Sequence, residues 1–234
     1  MSRGPAHSGD DPHGGQPIVT AGTAVGDADA ALVLVHGRGA TARSVLQLGE
    51  QLAGDRDVAL LAPQAAGNTW YPNSFLSPVA ENEPGRSSGL RAADRALDRA
   101  LDAGIDAERV LIGGFSQGAC LAAEFVARSP RRYGGVAVFS GGLIGESIAV
   151  DDYVDGAVAV DAADPDDPTD SLDGTPAFLG CSDVDPHIPE ARVHETTDVL
   201  TTLGADVDER IYEGMGHGIN DDEVEAVSAL VAAL

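Results

Sequence analysis

The residue of this chain best suited to nucleophilic chemistry is Ser116, at the centre of a G-x-S-x-G pattern formed with Gly114 and Gly118. An apolar strand is predicted at residues 109–115 and a small-residue helix at 117–128. A strand that turns at once into a helix strains the central serine, and side chains two positions away would collide, which explains the glycines. The same turn raises the hydroxyl above the carboxyl edge of a sheet. A chance Gly-Ser-Gly turn is the alternative, but the strand and helix favour a nucleophile.

A serine nucleophile needs a general base, and the chain contains six histidines. His217 is the best candidate, because it lies in the glycine-flanked loop 213–218 between the last predicted strand and the last predicted helix. Glycines there allow the loop to hold an imidazole over the sheet edge. The other five are His7 and His13 in the N-terminal segment, His36 at a strand end, His187 in a loop, and His194 in a helix with acidic neighbours. We expect His36 to be a hydrogen-bonded structural residue and His194 to lie on the surface.

An acid is needed to orient the base, and two aspartates follow the predicted strand at residues 177–181. Asp183 and Asp185 are both candidates, but Asp185 precedes Pro186, which stiffens the turn that presents it. With Asp185 as the acid, the chain order of serine, aspartate and histidine is that of α/β-hydrolases.

An oxyanion hole requires two N–H donors near the nucleophile. The Gln117 amide, directly after the serine, is one candidate. The glycine-rich stretch that starts at His36 follows the first central strand and allows close backbone approach, so the Arg38 amide is the other candidate.

The elements that must position these residues alternate between strands and helices. Strands are predicted at 31–36, 57–62, 109–115, 135–140, 177–181 and 207–212, and helices at 42–52, 87–103, 117–128, 189–203 and 221–234. Such alternation predicts a mostly parallel central sheet with helices on both faces, and the order of serine, aspartate and histidine makes the α/β-hydrolase fold the expected form of it. We expect a single domain over residues 17–234, after a disordered Gly- and Pro-rich tail at 1–16. Within the domain, the very acidic stretch 145–174 is predicted to be a solvated surface excursion.

The charge balance excludes several partners. Thirty-eight acidic residues against 14 basic ones give a net charge of −24, and the basic residues are all arginine. Such a surface repels nucleic acids and anionic membranes, so we expect neither as a partner. An ordinary acidic, soluble protein is one interpretation of this composition, and adaptation to molar salt, which would screen the self-repulsion of so acidic a chain, is the one that we favour. The composition resembles that of haloarchaeal cytosolic proteins. No apolar run reaches the roughly 18 residues of a membrane span, and the N-terminus lacks the apolar core of a secretory signal, so a cytoplasmic location is expected.

Four sequence blocks carry a family resemblance: LVHGRGAT, GGFSQGA, GCSDVDPHIP and YEGMGHGI, in that order over residues 34–219. Together they resemble the phospholipase/carboxylesterase family of α/β-hydrolases, which includes acyl-protein thioesterases. The stretch TWYPNSFLSP with NEPG is similar to a bacterial and archaeal carboxylesterase branch. The resemblance implies Ser116 as nucleophile, Asp185 as acid, His217 as base, and the amides of Arg38 and Gln117 as oxyanion donors.

The resemblance also bears on the substrate pocket. The long hydrophobic loop with which acyl-protein thioesterases hold a lipid chain has no clear counterpart, so a compact ester is expected. The candidate pocket walls are apolar residues, with ordinary core packing as the alternative for each: Trp70, Tyr71, Phe75, Leu76, Ile188 and Ile219.

The candidate triad and the family resemblance together predict a serine carboxylic ester hydrolase acting through an acyl-enzyme on small to medium esters. Thioester or lysophospholipid hydrolysis is the nearest alternative, because the same residues cleave those bonds. A non-catalytic ligand-binding module on the same scaffold is an alternative of another class, although such proteins usually lose a triad member. No metal or organic cofactor is expected, and the sequence leaves the oligomeric state open.

Overall fold

A central sheet organises the chain in the computed structural model, which describes residues 9–154 and 171–234. In those ranges the sheet has seven strands, in the spatial order β1-β3-β2-β4-β5-β6-β7. Their bounds are β1 Ile18–Gly22, β2 Ala30–Val35, β3 Val58–Pro63, β4 Val110–Phe115, β5 Gly135–Phe139, β6 Pro176–Ser182 and β7 Asp206–Tyr212. Only β1 is antiparallel to its neighbour, and the other pairings in the described sheet are parallel. The predicted fold class, a mostly parallel α/β sheet, is confirmed.

Helices cover both faces of the sheet, as predicted. Their bounds are α1 Ala42–Ala53, α2 Gly85–Leu101, α3 Gln117–Arg128, α4 Asp151–Val154, α5 Glu190–Thr202 and α6 Asp221–Ala232. Alternate residues of β2 enter different cores: Val33 lies in the cluster that contains α2, α3 and α5 residues, whereas Leu32 lies in the cluster with α1 and α6. Side chains of a strand point alternately to opposite faces, so a strand buried on both sides reads as one continuous apolar run.

Strand β1, like the short helix α4, is an element that the sequence did not predict. It pairs antiparallel with β3 at the sheet edge, from Ile18 opposite Pro63 to Gly22 opposite Ala59. Its five residues are only partly buried or exposed, so its sequence lacks the apolar run that marks the inner strands. Pairing with the fully buried strand β3, and not its own hydrophobic pattern, makes this segment a strand.

The prediction of a disordered tail to residue 16 is wrong for residues 9–16, the part of the tail within the described range. The His13 side chain is only 2% exposed. Its Nε2 lies 2.8 Å from Trp70 O, its Nδ1 accepts a hydrogen bond from Ala66 N at 3.0 Å, and its own N donates to Ser88 Oγ at 2.8 Å. A Gly- and Pro-rich segment becomes ordered here because its histidine fills a place in the core and satisfies polar groups of Ala66, Trp70 and Ser88.

The centre of the acidic stretch predicted as a surface excursion, residues 155–170, lies outside the described residues. On its two flanks Tyr153 is 3% exposed and Leu172 is fully buried, so both flanks are anchored in the core. None of the helices in the two described ranges is long and apolar enough to cross a membrane.

Candidate active site

The candidate functional residues follow the carboxyl ends of four parallel strands, β2, β4, β6 and β7. Ser116 comes directly after β4, Asp185 three residues after β6, His217 five residues after β7, and Arg38 three residues after β2. Carboxyl ends of parallel strands share one edge of the sheet, so residues far apart in sequence meet there.

Ser116 occupies the strained turn between β4 and α3. Its backbone has φ 56° and ψ −122°, a conformation that non-glycine residues seldom adopt. A Cβ at Gly118 would lie 2.0 Å from Val35 O, and one at Gly114 would lie 2.6 Å from the same oxygen. The two glycines are therefore required because the turn is pressed against the end of β2.

Ser116, His217 and Asp185 form a continuous hydrogen-bond relay. His217 Nε2 lies 2.9 Å from Ser116 Oγ, and His217 Nδ1 lies 2.7 Å from Asp185 Oδ2. The structure thus brings together the serine, the histidine and one of the two candidate aspartates. In this geometry a neutral imidazole protonated on Nδ1 donates to the carboxylate and presents a lone pair to the serine hydroxyl.

The Asp185 carboxylate is buried and kept ionised by its hydrogen bonds. Its side chain is 0% exposed. Oδ1 accepts hydrogen bonds from the backbone amides of His187 at 2.8 Å and Ile188 at 3.1 Å. Burial alone would raise the pKa of Asp185, but the hydrogen bonds from His217 and the two amides outweigh it, so the pKa lies below its usual value. Both oxygens are therefore hydrogen-bond acceptors at neutral pH.

Asp183, the other candidate acid, has a different place. Its Oδ1 accepts a hydrogen bond from Gly214 N at 2.8 Å. Nearby, Ser182 Oγ accepts from Gly216 N at 3.0 Å, and Ser140 Oγ donates to Gly218 O at 3.2 Å. Together these contacts hold the loop that carries the imidazole from both sides.

Two backbone amides are available to bind an oxyanion. Gln117 is the first residue of α3, so its N–H has no partner within the helix. In the part of the chain that the structure describes, the Arg38 N–H has no backbone carbonyl partner either, whereas Gly39 N donates to Asn68 O and Ala40 N to Gly37 O. Both residues line the same cavity as Ser116.

That cavity has a volume of about 560 Å³ and contains Ser116 and His217 in its wall. Of the predicted pocket residues, Tyr71, Phe75 and Ile188 line it. Lining residues that sequence reasoning did not assign to the pocket are Gly37, Ala40, Pro72, Asn73, Ser74, Phe115, Cys120 and His187. The His187 ring meets the His217 ring edge-on at 4.9 Å. Its position directly after the Asp185-Pro186 pair is the one sequence signal that could have indicated it.

Three predicted pocket residues lie elsewhere, which corrects the prediction. Trp70 is fully buried, and its Nε1–H donates to His36 O at 2.8 Å, so it supports the Arg38 loop and does not line the cavity. Leu76 packs against the core cluster on the α2–α3 face, and Ile219 packs against the cluster on the opposite face. Aromatic or aliphatic character marks residues for burial but does not distinguish a pocket wall from the core behind it.

The aromatic loop, residues 69–78, is held over the cavity by the side chains of Arg38 and Gln117. The sequence predicted a role only for the backbone amides of these two residues. The Arg38 guanidinium donates to the carbonyl oxygens of Tyr71, Pro72 and Asn73 at 2.9, 3.0 and 2.7 Å. The Gln117 side chain accepts from Trp70 N at 3.0 Å and donates to Tyr71 O at 2.9 Å. The residues that offer the candidate oxyanion amides therefore also fix the pocket wall.

His36 is a buried, hydrogen-bonded residue and His194 lies on the surface, as the sequence predicted. His36 is fully buried, with Nδ1 2.8 Å from Gly37 O and Nε2 accepting from Ala65 N at 3.1 Å. The side chain of His194 is 50% exposed, beside Glu190 and Glu209. Among the described residues, no group of three or more His, Cys, Asp or Glu side chains is arranged to hold a metal ion.

Comparison with known proteins agrees with this architecture. A solved structure of a phospholipase/carboxylesterase from Dyadobacter fermentans is 36% identical, with a TM-score of 0.82 over 93% of this chain and 96% of that one. A Bacillus cereus carboxylesterase, 20% identical, shares the fold with a TM-score of 0.68 over 94% of this chain and 96% of its own. An acyl-protein thioesterase 1 from Gibberella zeae is 29% identical over 124 residues, 53% of this chain and 47% of the thioesterase, so the match spans about half of that relative. The family pattern described as Phospholipase/Carboxylesterase matches residues 20–234, and the chain therefore belongs to the phospholipase/carboxylesterase family, with the α/β-hydrolase fold.

Proposed function

We propose that this protein is a serine carboxylic ester hydrolase that forms a covalent acyl-enzyme on Ser116. The observation that carries the proposal is the relay from Ser116 through His217 to Asp185, with hydrogen bonds of 2.9 and 2.7 Å. Family membership supports hydrolase activity in general, and the relay supports a particular set of roles for these residues.

In the first half of the reaction, Ser116 Oγ attacks the ester carbonyl carbon while His217 Nε2 takes the hydroxyl proton. The carbonyl oxygen becomes an oxyanion, which accepts hydrogen bonds from the Arg38 and Gln117 amides. Asp185 stabilises the imidazolium that results. His217 then gives its proton to the leaving alcohol oxygen, the C–O bond breaks, and the acyl group remains on the serine.

In the second half, a water molecule takes the place of the alcohol. His217 Nε2 accepts a proton from the water as its oxygen attacks the acyl carbonyl, and the same two amides bind the second oxyanion. When that intermediate collapses, His217 returns the proton to Ser116 Oγ and the carboxylic acid leaves. The bonds broken and formed balance without a further reactant.

The size of the cavity supports a compact acyl group. Its volume of about 560 Å³ lies in the lower half of the range of small-molecule sites, and it must accommodate parts of both the acyl and the leaving group. The thioester alternative rests on the partial match to the Gibberella zeae thioesterase. The complete relay argues against the ligand-binding module, because a binding protein has no use for a base aligned on a serine hydroxyl.

The test is a covalent serine-hydrolase probe, such as a fluorophosphonate, together with a series of nitrophenyl esters and matching thioesters from two to eight acyl carbons. We expect Ser116→Ala to lose probe labelling and to lose about 10⁶-fold in kcat. Ser228→Ala, a serine change on α6, is the control and should retain both. Ester turnover by Ser116→Ala above a few per cent of wild type would exclude the assigned nucleophile.

A further inference from the structure

The cavity wall carries no acidic side chain, although the chain as a whole is strongly acidic. Asp and Glu number 38 in a chain of 234 residues. None of the residues that line the cavity is Asp or Glu, whereas Arg38, His187 and His217 are among them. A carboxylate beside Ser116 would oppose the oxyanion, so its absence there suits any ester hydrolase. The proposed reaction uses the imidazole of His217, which leaves the side chain of His187 without a role.

His187 differs from the other histidines that the structure describes. The rings of His13, His36, His194 and His217 all lie within hydrogen-bond distance of polar partners. Among the described residues, neither ring nitrogen of His187 has such a partner, and its ring packs edge-on against that of His217. The residue is exposed and lines the cavity. An imidazole offers one N–H donor when neutral and two when charged, so this side chain has a donor for a bound ligand.

The backbone of His187 is tied to the acid of the catalytic relay. Its amide donates to Asp185 Oδ1 at 2.8 Å, and the amide of Ile188 donates to the same oxygen at 3.1 Å. The ring centroid of His187 lies 4.9 Å from that of His217, with the two planes at 81°. One carboxylate therefore anchors both the proposed base and the residue that lies beside it.

The part of the substrate that lies near His187 follows from the reaction. His217 Nε2 must come within hydrogen-bond reach of the leaving oxygen in order to protonate it. The alcohol part of the ester therefore lies next to the His217 ring. Two other rings contact that ring: Phe115 is apolar, and His187 is the one that offers a hydrogen bond. A polar group on the alcohol, a few bonds beyond the ester oxygen, thus comes nearest to His187.

The charge in the cavity wall favours an anionic group at this position. The Arg38 guanidinium lines the same cavity and donates to three backbone carbonyl oxygens. Within the ranges that the structure describes, no carboxylate lies at ion-pair distance from it, so no neighbouring side chain neutralises its charge. A cleft with positive charge and no carboxylates in its wall raises the local concentration of anions.

We propose that His187 is a specificity-determining residue that donates a hydrogen bond to a carboxylate carried by the alcohol part of the ester. The preferred substrates are esters formed on the hydroxyl group of short hydroxy acids, so that hydrolysis releases the hydroxy acid as the alcohol. This inference rests on the proposed ester hydrolase function, since that function places the leaving alcohol beside His217.

The experiment compares two butanoate esters of nearly equal shape, those of glycolate and of glycolamide, whose alcohol parts end in a carboxylate and in a neutral amide. Wild type and His187→Phe are assayed for kcat/KM on both by release of butanoate, in about 1 M KCl to screen the long-range charge of the chain. Phenylalanine keeps an aromatic ring against His217 but has no donor. His194→Phe is the matched control, because it makes the same change at an exposed histidine away from the cavity.

We expect the ratio of kcat/KM for the carboxylate ester to that for the amide ester to fall about tenfold in His187→Phe. That is near the low end for a hydrogen bond to a charged group, because the residue is exposed to water. His194→Phe should keep the wild-type ratio. Each ratio is taken within one protein, so a general loss of activity in His187→Phe cancels. An unchanged ratio in His187→Phe, or an equal fall in His194→Phe, would overturn the proposal.

Binding to Ser116→Ala gives a second measurement that does not depend on turnover. This variant should bind the glycolate ester more tightly than the glycolamide ester, and the further change His187→Phe should reduce that preference in Kd by about tenfold. Equal preferences with and without His187 would contradict the proposal. Failure of the proposed function is a different outcome, in which wild type cleaves neither ester or Ser116→Ala cleaves both, whatever their relative affinities.

Discussion

Replacing Asp185 by asparagine tests the proposed catalytic relay with little change in shape. In the native chain Oδ1 accepts two backbone amide hydrogen bonds, and Oδ2 accepts one from His217 Nδ1 at 2.7 Å. In Asp185→Asn the side-chain oxygen can keep the two amide donors, which places the NH₂ group opposite Nδ1. An NH₂ group can only donate, so Nδ1 must become an acceptor and the ring proton moves to Nε2. Nε2 then has no lone pair for the hydroxyl of Ser116.

The size of the effect follows from this change of tautomer. The base is present but in the wrong form, and the imidazolium loses the carboxylate that stabilises it. Comparable changes cost about 10⁴-fold in kcat, or roughly 5.5 kcal/mol of transition-state free energy. The loss should appear in kcat, whereas KM should change little, because Asp185 does not line the cavity.

Asp183→Asn is the matched control, two residues away in the same loop. Its Oδ1 accepts from Gly214 N, and an asparagine oxygen can accept the same bond, so we expect less than a threefold loss. The measurement is kcat and KM of wild type and both variants on one nitrophenyl ester, and thermal melting establishes that each variant is folded. A loss for Asp185→Asn of under about 100-fold, or a larger loss for Asp183→Asn, would refute the reasoning.

Three further predictions concern stability and the pocket wall. Burial raises the pKa of Glu223 to about 7, from a value of 4.5 in the unfolded chain. Between those pH values the folded state keeps a proton that the unfolded state releases, so the free energy of unfolding falls by about 3 kcal/mol as the pH rises. Glu223→Gln should remove that loss. Urea unfolding at pH 4.5 and 7.5 in constant KCl should show that the variant is more stable relative to wild type at pH 7.5 than at pH 4.5, and a stability difference that is the same at both pH values would contradict the prediction. Arg38→Met retains the backbone amide but loses three hydrogen bonds to the aromatic loop, so we expect about a tenfold drop in kcat/KM, mainly through KM, and unaltered kinetics would show that the clamp is dispensable. With a net charge of −24, melting temperature and activity should both rise from 0.1 M to beyond 1 M KCl, and a melting temperature that is flat or falls with salt would exclude adaptation to high salt.

The features that could be predicted from the sequence are those that depend on neighbouring residues. The inner strands are recognisable because burial on both faces requires short, continuous apolar runs such as Ala30–Val35. The turn at Ser116 is recognisable because a clash within the turn itself requires glycine: a Cβ at Gly114 would lie 2.7 Å from the backbone of Gly118. Strand, turn and helix in that order also imply which sheet edge presents the hydroxyl.

Other features depend on partners that are distant along the chain, and only the tertiary structure decides them. Asp183 and Asp185 both follow the same strand, and what separates them is that the imidazole of His217 meets one carboxylate while Gly214 N meets the other. His13 lies in a segment whose composition is typical of disorder, yet it is buried because Trp70 and Ser88 offer it partners.

The division between pocket and core is decided in the same way. Trp70 and Tyr71 are adjacent, aromatic and both buried, yet Tyr71 is among the residues that line the cavity and Trp70 is not. Which of them faces the substrate depends on how Arg38 and Gln117 pin the loop between them. Hydrophobicity determines that a side chain leaves water, whereas packing between elements determines whether it meets the protein core or a ligand.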